Sequence, residues 1–205
     1  MTENRVQENT DMLIENPQNN NPRRKQIVAI VSVLVVIVLA FICASLVKYF
    51  VVATFTVNGI SMYPTLDGGN GANNDNDEKN GETLYLNKVA KIKRNDIVVF
   101  KPNWADINGK SVVKRVIAVA GDHVQVVDNQ VFLNGKRLDE SYINEQMINS
   151  PNIDVVVPEG NIVCFGDNRN HSEDCRFNAP YYVALDTVVG RCFMIKSLDG
   201  KLRTL

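Results

Sequence analysis

Apolar residues follow two different patterns along this chain. From Ile27 to Val47, 21 residues pass without a charge. As a helix that run would be about 32 Å long, which matches the hydrocarbon layer of a bilayer. From Phe55 onward the pattern changes to short runs rich in β-branched residues: TFTV, TLYL, DIVVF, SVVKRVIAVA, HVQVV, QVFL, DVVV, NIVCF and TVVGRCFMI. Runs of that length and composition predict strands. Asp128-Asn129 and Asn134-Gly135 stand between such runs and predict local antiparallel hairpins. No long amphipathic helix competes with them. The expected fold is mainly β, an antiparallel β-sheet domain preceded by one transmembrane helix.

These patterns divide the chain into a polar tail (1–26), a membrane span (27–47) and a domain of ordinary size (48–205), with no internal repeat. The tail is rich in Asn, Gln and Glu and has few core formers, so it is expected to be disordered. A cleaved signal peptide would have a shorter apolar core and a small-residue exit site. Arg23, Arg24 and Lys25 abut one end of the span and Lys48 stands alone at the other. That bias keeps the tail cytoplasmic and places residues 48–205 outside, on the extracytoplasmic face of the cytoplasmic membrane. Residues 67–82, DGGNGANNDNDEKNGE, read as a flexible surface loop. Their Asp and Asn spacing does not fit a calcium loop, and no metal site is expected.

Charge and cysteines narrow the function classes. With 22 basic against 23 acidic residues, the net charge of −1 argues against a domain built to coat nucleic acid. Cys43 falls in the span, leaving Cys164, Cys175 and Cys192 outside. Three is odd, so one thiol at least stays free unless chains pair, and no zinc-type spacing occurs.

Two residues carry candidate chemistry. In NGISMYPTL, Ser61 stands two residues past Gly59 and three before Pro64, just beyond the membrane span. In SVVKRVIAVAGD, strand alternation puts Val112, Lys114, Val116 and Ala118 on one face and Val113, Arg115, Ile117 and Val119 on the other. Lys114 thus keeps apolar company, and an amine desolvated there becomes a usable general base. Alone, Lys114 also reads as a snorkelling lysine and Ser61 as a turn serine. Histidine is scarce: only His123 and His171 exist. His123 sits in a Gly-Asp turn, so a Ser-His-Asp triad could use only His171, and the rarity favours a lysine base.

At four points in order the chain resembles the type I signal peptidases (peptidase family S26), membrane-bound serine proteases with a Ser-Lys dyad. GISMYPTL is similar to their nucleophile box, DIVVF to the next, VVKRVIAVAGD to the lysine box, and GDNRNHSEDCRF to the last. The resemblance implies that Ser61 is the nucleophile and Lys114 its base, that Ser172 orients the lysine amine, and that Asp174 and Arg176 form a supporting ion pair. Asp167, Asn168 and Arg169 fall in the same box. It implies a substrate cleft lined by Phe55, Val57, Met62, Leu66 and Val112, and cleavage after a small-x-small motif.

The implied partners are the bilayer and exported preproteins, cut at the signal peptide. No metal or organic cofactor is implied, because a neutral lysine moves the proton. Two features depart from the family's pattern. Gly59 stands where well-known Gram-negative members carry a serine that helps hold the oxyanion. Cys175 stands where the last box commonly has serine. The Gly59 pattern, the single span and the small exported domain resemble Gram-positive members. A self-cleaving repressor-type Ser-Lys protein is the nearest enzyme alternative, and the membrane span and the lack of a DNA-binding helix pair speak against it.

Overall fold

In a computed structural model the protein is described over residues 22–69, 81–107 and 109–205. Most of the expected tail and loop, residues 1–21 and 70–80, lie outside these. Helix α1 runs Pro22–Val51 without a single buried side chain. It begins before the charge-free run and ends after it, so the basic residues 23–25 form its first turns. Pro22 suits that start, because the first helical N–H has no partner to lose. A helix apolar on every side and buried on none needs an apolar surrounding other than its own protein. Val51 ends the helix and Val52 begins the first strand, with no loop residue between them.

Residues 48–205 form a unit of their own and are almost wholly antiparallel β. The larger sheet contains β1 (Val52–Thr56), β2 (Thr83–Asn87), β11 (Val188–Lys196), β3 (Ile97–Phe100), β4 (Val112–Val119), β9 (Asn161–Phe165) and β10 (Val183–Ala184), in that spatial order. β12 (Leu202–Arg203) pairs with β11. The smaller sheet is ordered β7 (Lys136–Arg137), β6 (Gln130–Leu133), β5 (His123–Val127) and β8 (Ile153–Val156). All nine apolar runs picked out by composition are strands. The hairpin signals also hold. Asp128 and Asn129 both take positive φ in a two-residue turn from Val127 to Gln130, and Asn134-Gly135 does the same between β6 and β7.

The large sheet is covered on both faces, and β3 exposes the reason for its unbroken IVVF run. Ile97 and Val99 pack into one apolar cluster with Leu84, Leu86 and Ile195, while Val98 and Phe100 pack into the other with Val116, Val163 and Phe165. A strand buried on both faces has no polar side to alternate with.

Strict alternation fails in β4. Its register with β9 shifts between Val116 and Ala118, so Val116, Ile117 and Ala118 all join the same cluster. Ile117 was expected on the Arg115 face. The bulge inserts one residue and turns it round. Lys114 lies before the bulge and keeps the face that alternation assigns to it, shared with Val112 and Val116.

Candidate active site

Lys114 projects from the middle of the large sheet, where β4 is fixed between β3 and β9. The residue is 3% exposed, and its Nζ donates a 2.7 Å hydrogen bond to Ser61 Oγ. Burial pushes the amine below the ordinary lysine range, and Asp174 opposes that shift through its charge. A serine hydroxyl touching a desolvated amine has the geometry of an activated nucleophile with its base.

Ser61 lies outside the sheet, in a chain of turns that must be held by other means. Gly59 enters the turn at φ +83°, a left-handed conformation that side chains disfavour. Tyr63 N–H then bonds Ile60 O, and Leu66 N–H bonds Met62 O. The last sequence box ties these turns to the sheet. Asn168 donates from its backbone to Ser61 O (3.1 Å) and from its side chain to Ile60 O (3.0 Å). Asp167 accepts from Thr65 Oγ1 (2.5 Å) and from Arg115 through Nε (2.8 Å) and Nη2 (2.6 Å). The two ends of this clamp are therefore a neighbour of Lys114 in sequence and a neighbour of Ser61.

Asp174 is fully buried and accepts from Gly166 N–H (2.9 Å), Arg176 N–H (3.1 Å) and the Arg176 guanidinium (2.9 and 2.8 Å). Burial alone would raise its carboxyl, but these bonds hold it below the usual carboxylate range. The Asp174–Arg176 pair named from the sequence is thus present. Ser172 Oγ is buried and has no hydrogen-bond partner among the described residues. Its neighbour in space is Gly166, where a Cβ would lie 2.1 Å from Ser172 Oγ and 2.5 Å from Ser61 O.

The residues expected to line a cleft divide into two groups. Val57, Met62 and Leu66 are at most 1% exposed and belong to one apolar cluster. Phe55 and Val112 are partly buried, the first against that cluster and the second against the other. Of the two histidines, His123 bonds Asp154 (2.5 Å) on the exposed face of the smaller sheet, and His171 is exposed. Cys164, Cys175 and Cys192 are all buried free thiols. Burial pushes Cys175 up to about 12, well away from a reactive thiolate.

Sequence reasoning gave no role to Arg115, Glu140 or Tyr142. Arg169 is fully buried and forms a two-pronged ion pair with Glu140 (2.9 and 2.5 Å). The Tyr142 ring lies 4.1 Å from the Arg115 guanidinium, and its hydroxyl donates to Glu140. One signal was available for Arg115: an arginine amid a buried strand requires a carboxylate. Glu140 and Tyr142 sit in a stretch without periodicity and left no such trace.

Comparison with known proteins gives the family. A family model described as "Signal peptidase, peptidase S26" matches residues 27–196. Signal peptidase I T of Bacillus subtilis (strain 168) is 32% identical over 167 residues, covering 75% of this chain and 78% of that protein. Signal peptidase IB of Staphylococcus aureus (strain Mu50) is 32% identical over 176 residues, covering 76% and 83%. A crystal structure of a signal peptidase I from Enterococcus faecalis V583 aligns at 29% identity and a TM-score of 0.42, covering 50% of this chain and 97% of that one. The chain belongs to the signal peptidase family, peptidase S26, and is therefore a peptide-bond hydrolase.

Gly166 gives the first test of the site. Gly166→Ala forces Ser172 or the Ser61 carbonyl to move, and a displacement of about 1 Å at a reacting group costs about a hundredfold in rate. Turnover of a preprotein should fall by that order in Gly166→Ala while circular dichroism still reports a β-rich fold. Unchanged turnover would mean that the Gly166 contact does not set the position of Ser61.

Proposed function

We propose that this protein is a membrane-anchored serine endopeptidase that removes amino-terminal signal peptides from exported preproteins after a small-x-small motif. α1 spans the cytoplasmic membrane once with its amino terminus inside, leaving residues 48–205 on the extracytoplasmic face. The family match supports the substrate class. The 2.7 Å hydrogen bond from the buried Lys114 amine to Ser61 Oγ carries the mechanistic reading.

In that reading Lys114 is neutral when the preprotein binds. Ser61 Oγ attacks the scissile carbonyl carbon as its proton passes to Lys114 Nζ. The oxyanion takes a hydrogen bond from the Ser61 backbone N–H, since Gly59 offers no hydroxyl. Collapse of the intermediate breaks the C–N bond, and Lys114 returns its proton to the leaving amine. An ester joins the signal peptide to Ser61 until a water, deprotonated by Lys114, attacks the same carbon and restores the free serine.

Phe55 and Val112 meet the bound peptide in this reading. Val57, Met62 and Leu66 form the closed wall beneath it, which leaves no depth for large side chains. Ser172 orients the Lys114 amine when substrate tightens the site, and Asp174 with Arg176 fixes the loop that carries Ser172.

Ser61→Ala and Lys114→Ala should each abolish preprotein cleavage, scored by mass mapping of the new amino terminus, without loss of fold or membrane insertion. Lys114→Arg should be equally inactive, because a guanidinium does not lose its proton in this range. Retained cleavage in either lysine variant would eliminate the dyad.

The rate should climb with pH along a limb set by Lys114, since only the neutral amine accepts the serine proton. Burial lowers the amine, so the half-point should fall below the 10.5 of an ordinary lysine and the optimum on the alkaline side of neutral. A kcat/KM profile that peaks on the acid side would contradict a lysine base.

Ser172→Ala should lower kcat by about tenfold to a hundredfold, as loss of one orienting hydrogen bond of about 1–3 kcal/mol predicts. KM should change little. A lower melting temperature with kcat unchanged within about twofold would assign Ser172 to turn stability instead.

A further inference from the structure

Residues 88–94, KVAKIKR, hold four cations and no carboxylate in a chain whose net charge is −1. The fold puts this loop beside the end of α1. Val52 pairs with Asn87, Lys88 N–H donates to Val51 O (2.8 Å), and Lys88 Nζ donates to Tyr49 O (3.0 Å). Val89 is 70% exposed, as are the neighbouring helix-end aromatics Tyr49 (73%) and Phe50 (60%). Arg94 is paired with Asp122. Lys88 and Lys91 form no ion pair among the described residues, and both are exposed. They line a cavity of about 540 Å³ whose wall includes Ile92, Val119, Leu185 and Val188, with Glu159 as its one carboxylate.

We infer that this groove binds the headgroup region of an anionic phospholipid in the outer leaflet. The phosphate sits against Lys88 and Lys91, and the glycerol and upper acyl carbons lie against the apolar wall. The inference rests on the proposed reading of α1 as a membrane anchor, because that reading brings the loop to the bilayer surface. Aromatic residues at a helix end belong at the same depth. Near an anionic surface each lysine contributes enough attraction that removing two should shift the docked-to-undocked ratio about thirtyfold.

The test uses the full chain with Cys43→Ser and Val89→Cys, labelled at position 89 with a polarity-sensitive dye. It is reconstituted in phosphatidylcholine vesicles with or without phosphatidylglycerol. Dye emission should shift to the blue only with phosphatidylglycerol. The shift should fade at about 0.5 M salt, where the screening length drops to about 4 Å. Lys88→Gln with Lys91→Gln should remove it while leaving preprotein cleavage in detergent unchanged, which shows that the fold is retained. Identical emission in both vesicles, a double variant that behaves like its parent, or the same shift on neutral vesicles with inorganic phosphate would overturn the lipid groove. Carbonate extraction is scored separately. A chain that leaves the vesicles in carbonate overturns the anchor reading, and with it this inference, whatever the dye reports.

Discussion

In the proposed reading, the site depends on keeping an amine neutral in a place that contains charges. Lys114 is 3% exposed, and Asp174 and Asp167 lie in the same loop system. Either carboxylate, left unpaired, would favour the protonated amine and remove the base. Each is matched instead by an arginine with two-pronged geometry, Asp174 by Arg176 and Asp167 by Arg115. Desolvation is the largest influence on the lysine and lowers it; Asp174 opposes that shift and Arg176 adds to it. Buried ion pairs add little net stability but are costly to break, about 3–5 kcal/mol when one partner is removed. Here they let the last box be polar and rigid at once.

Much of the strand framework was legible, because a strand buried on one or both faces must carry its apolar residues in short β-branched runs. Lys114 could be placed on its face because only two residues of β4 precede it and the bulge comes later. Ile117 was misplaced because a bulge changes the period without changing composition. Strand order was also beyond reach, since β11 lies between β2 and β3 only through pairing far along the chain. Met62 and Leu66 illustrate a different limit. An apolar residue beside a nucleophile announces that it will be covered, and sequence does not say whether protein or substrate does the covering.

The segment from Glu140 to Ile148 was invisible for a related reason. It has no periodicity, yet it reaches the last box repeatedly, Glu140 on Arg169, Gln146 and Ile148 on Asn170, and Met147 on Arg176, and it touches β4 through Tyr142 on Arg115. Irregular segments satisfy buried polar groups one by one, so their residue choice answers to individual partners and leaves no repeating signal. Arg169 is an example, since a guanidinium buried in the last box requires a carboxylate from elsewhere. β6 and β7 of the smaller sheet precede this segment in the chain.

The absence of a loop between α1 and β1 constrains where the chemistry can happen. Ser61 follows Val51 by ten residues, and an extended chain covers at most about 3.6 Å per residue, so Ser61 lies within about 36 Å of the helix end. Five of those residues are committed to β1, which pairs along its whole length with β2. The distance is thereby fixed by a sheet rather than left to a tether. A long flexible linker would let the nucleophile sample all depths at the cost of local concentration. A direct helix-to-strand junction instead keeps Ser61 within that short reach of Val51, which in the proposed reading suits a cleavage point defined by its distance from a membrane-spanning signal sequence.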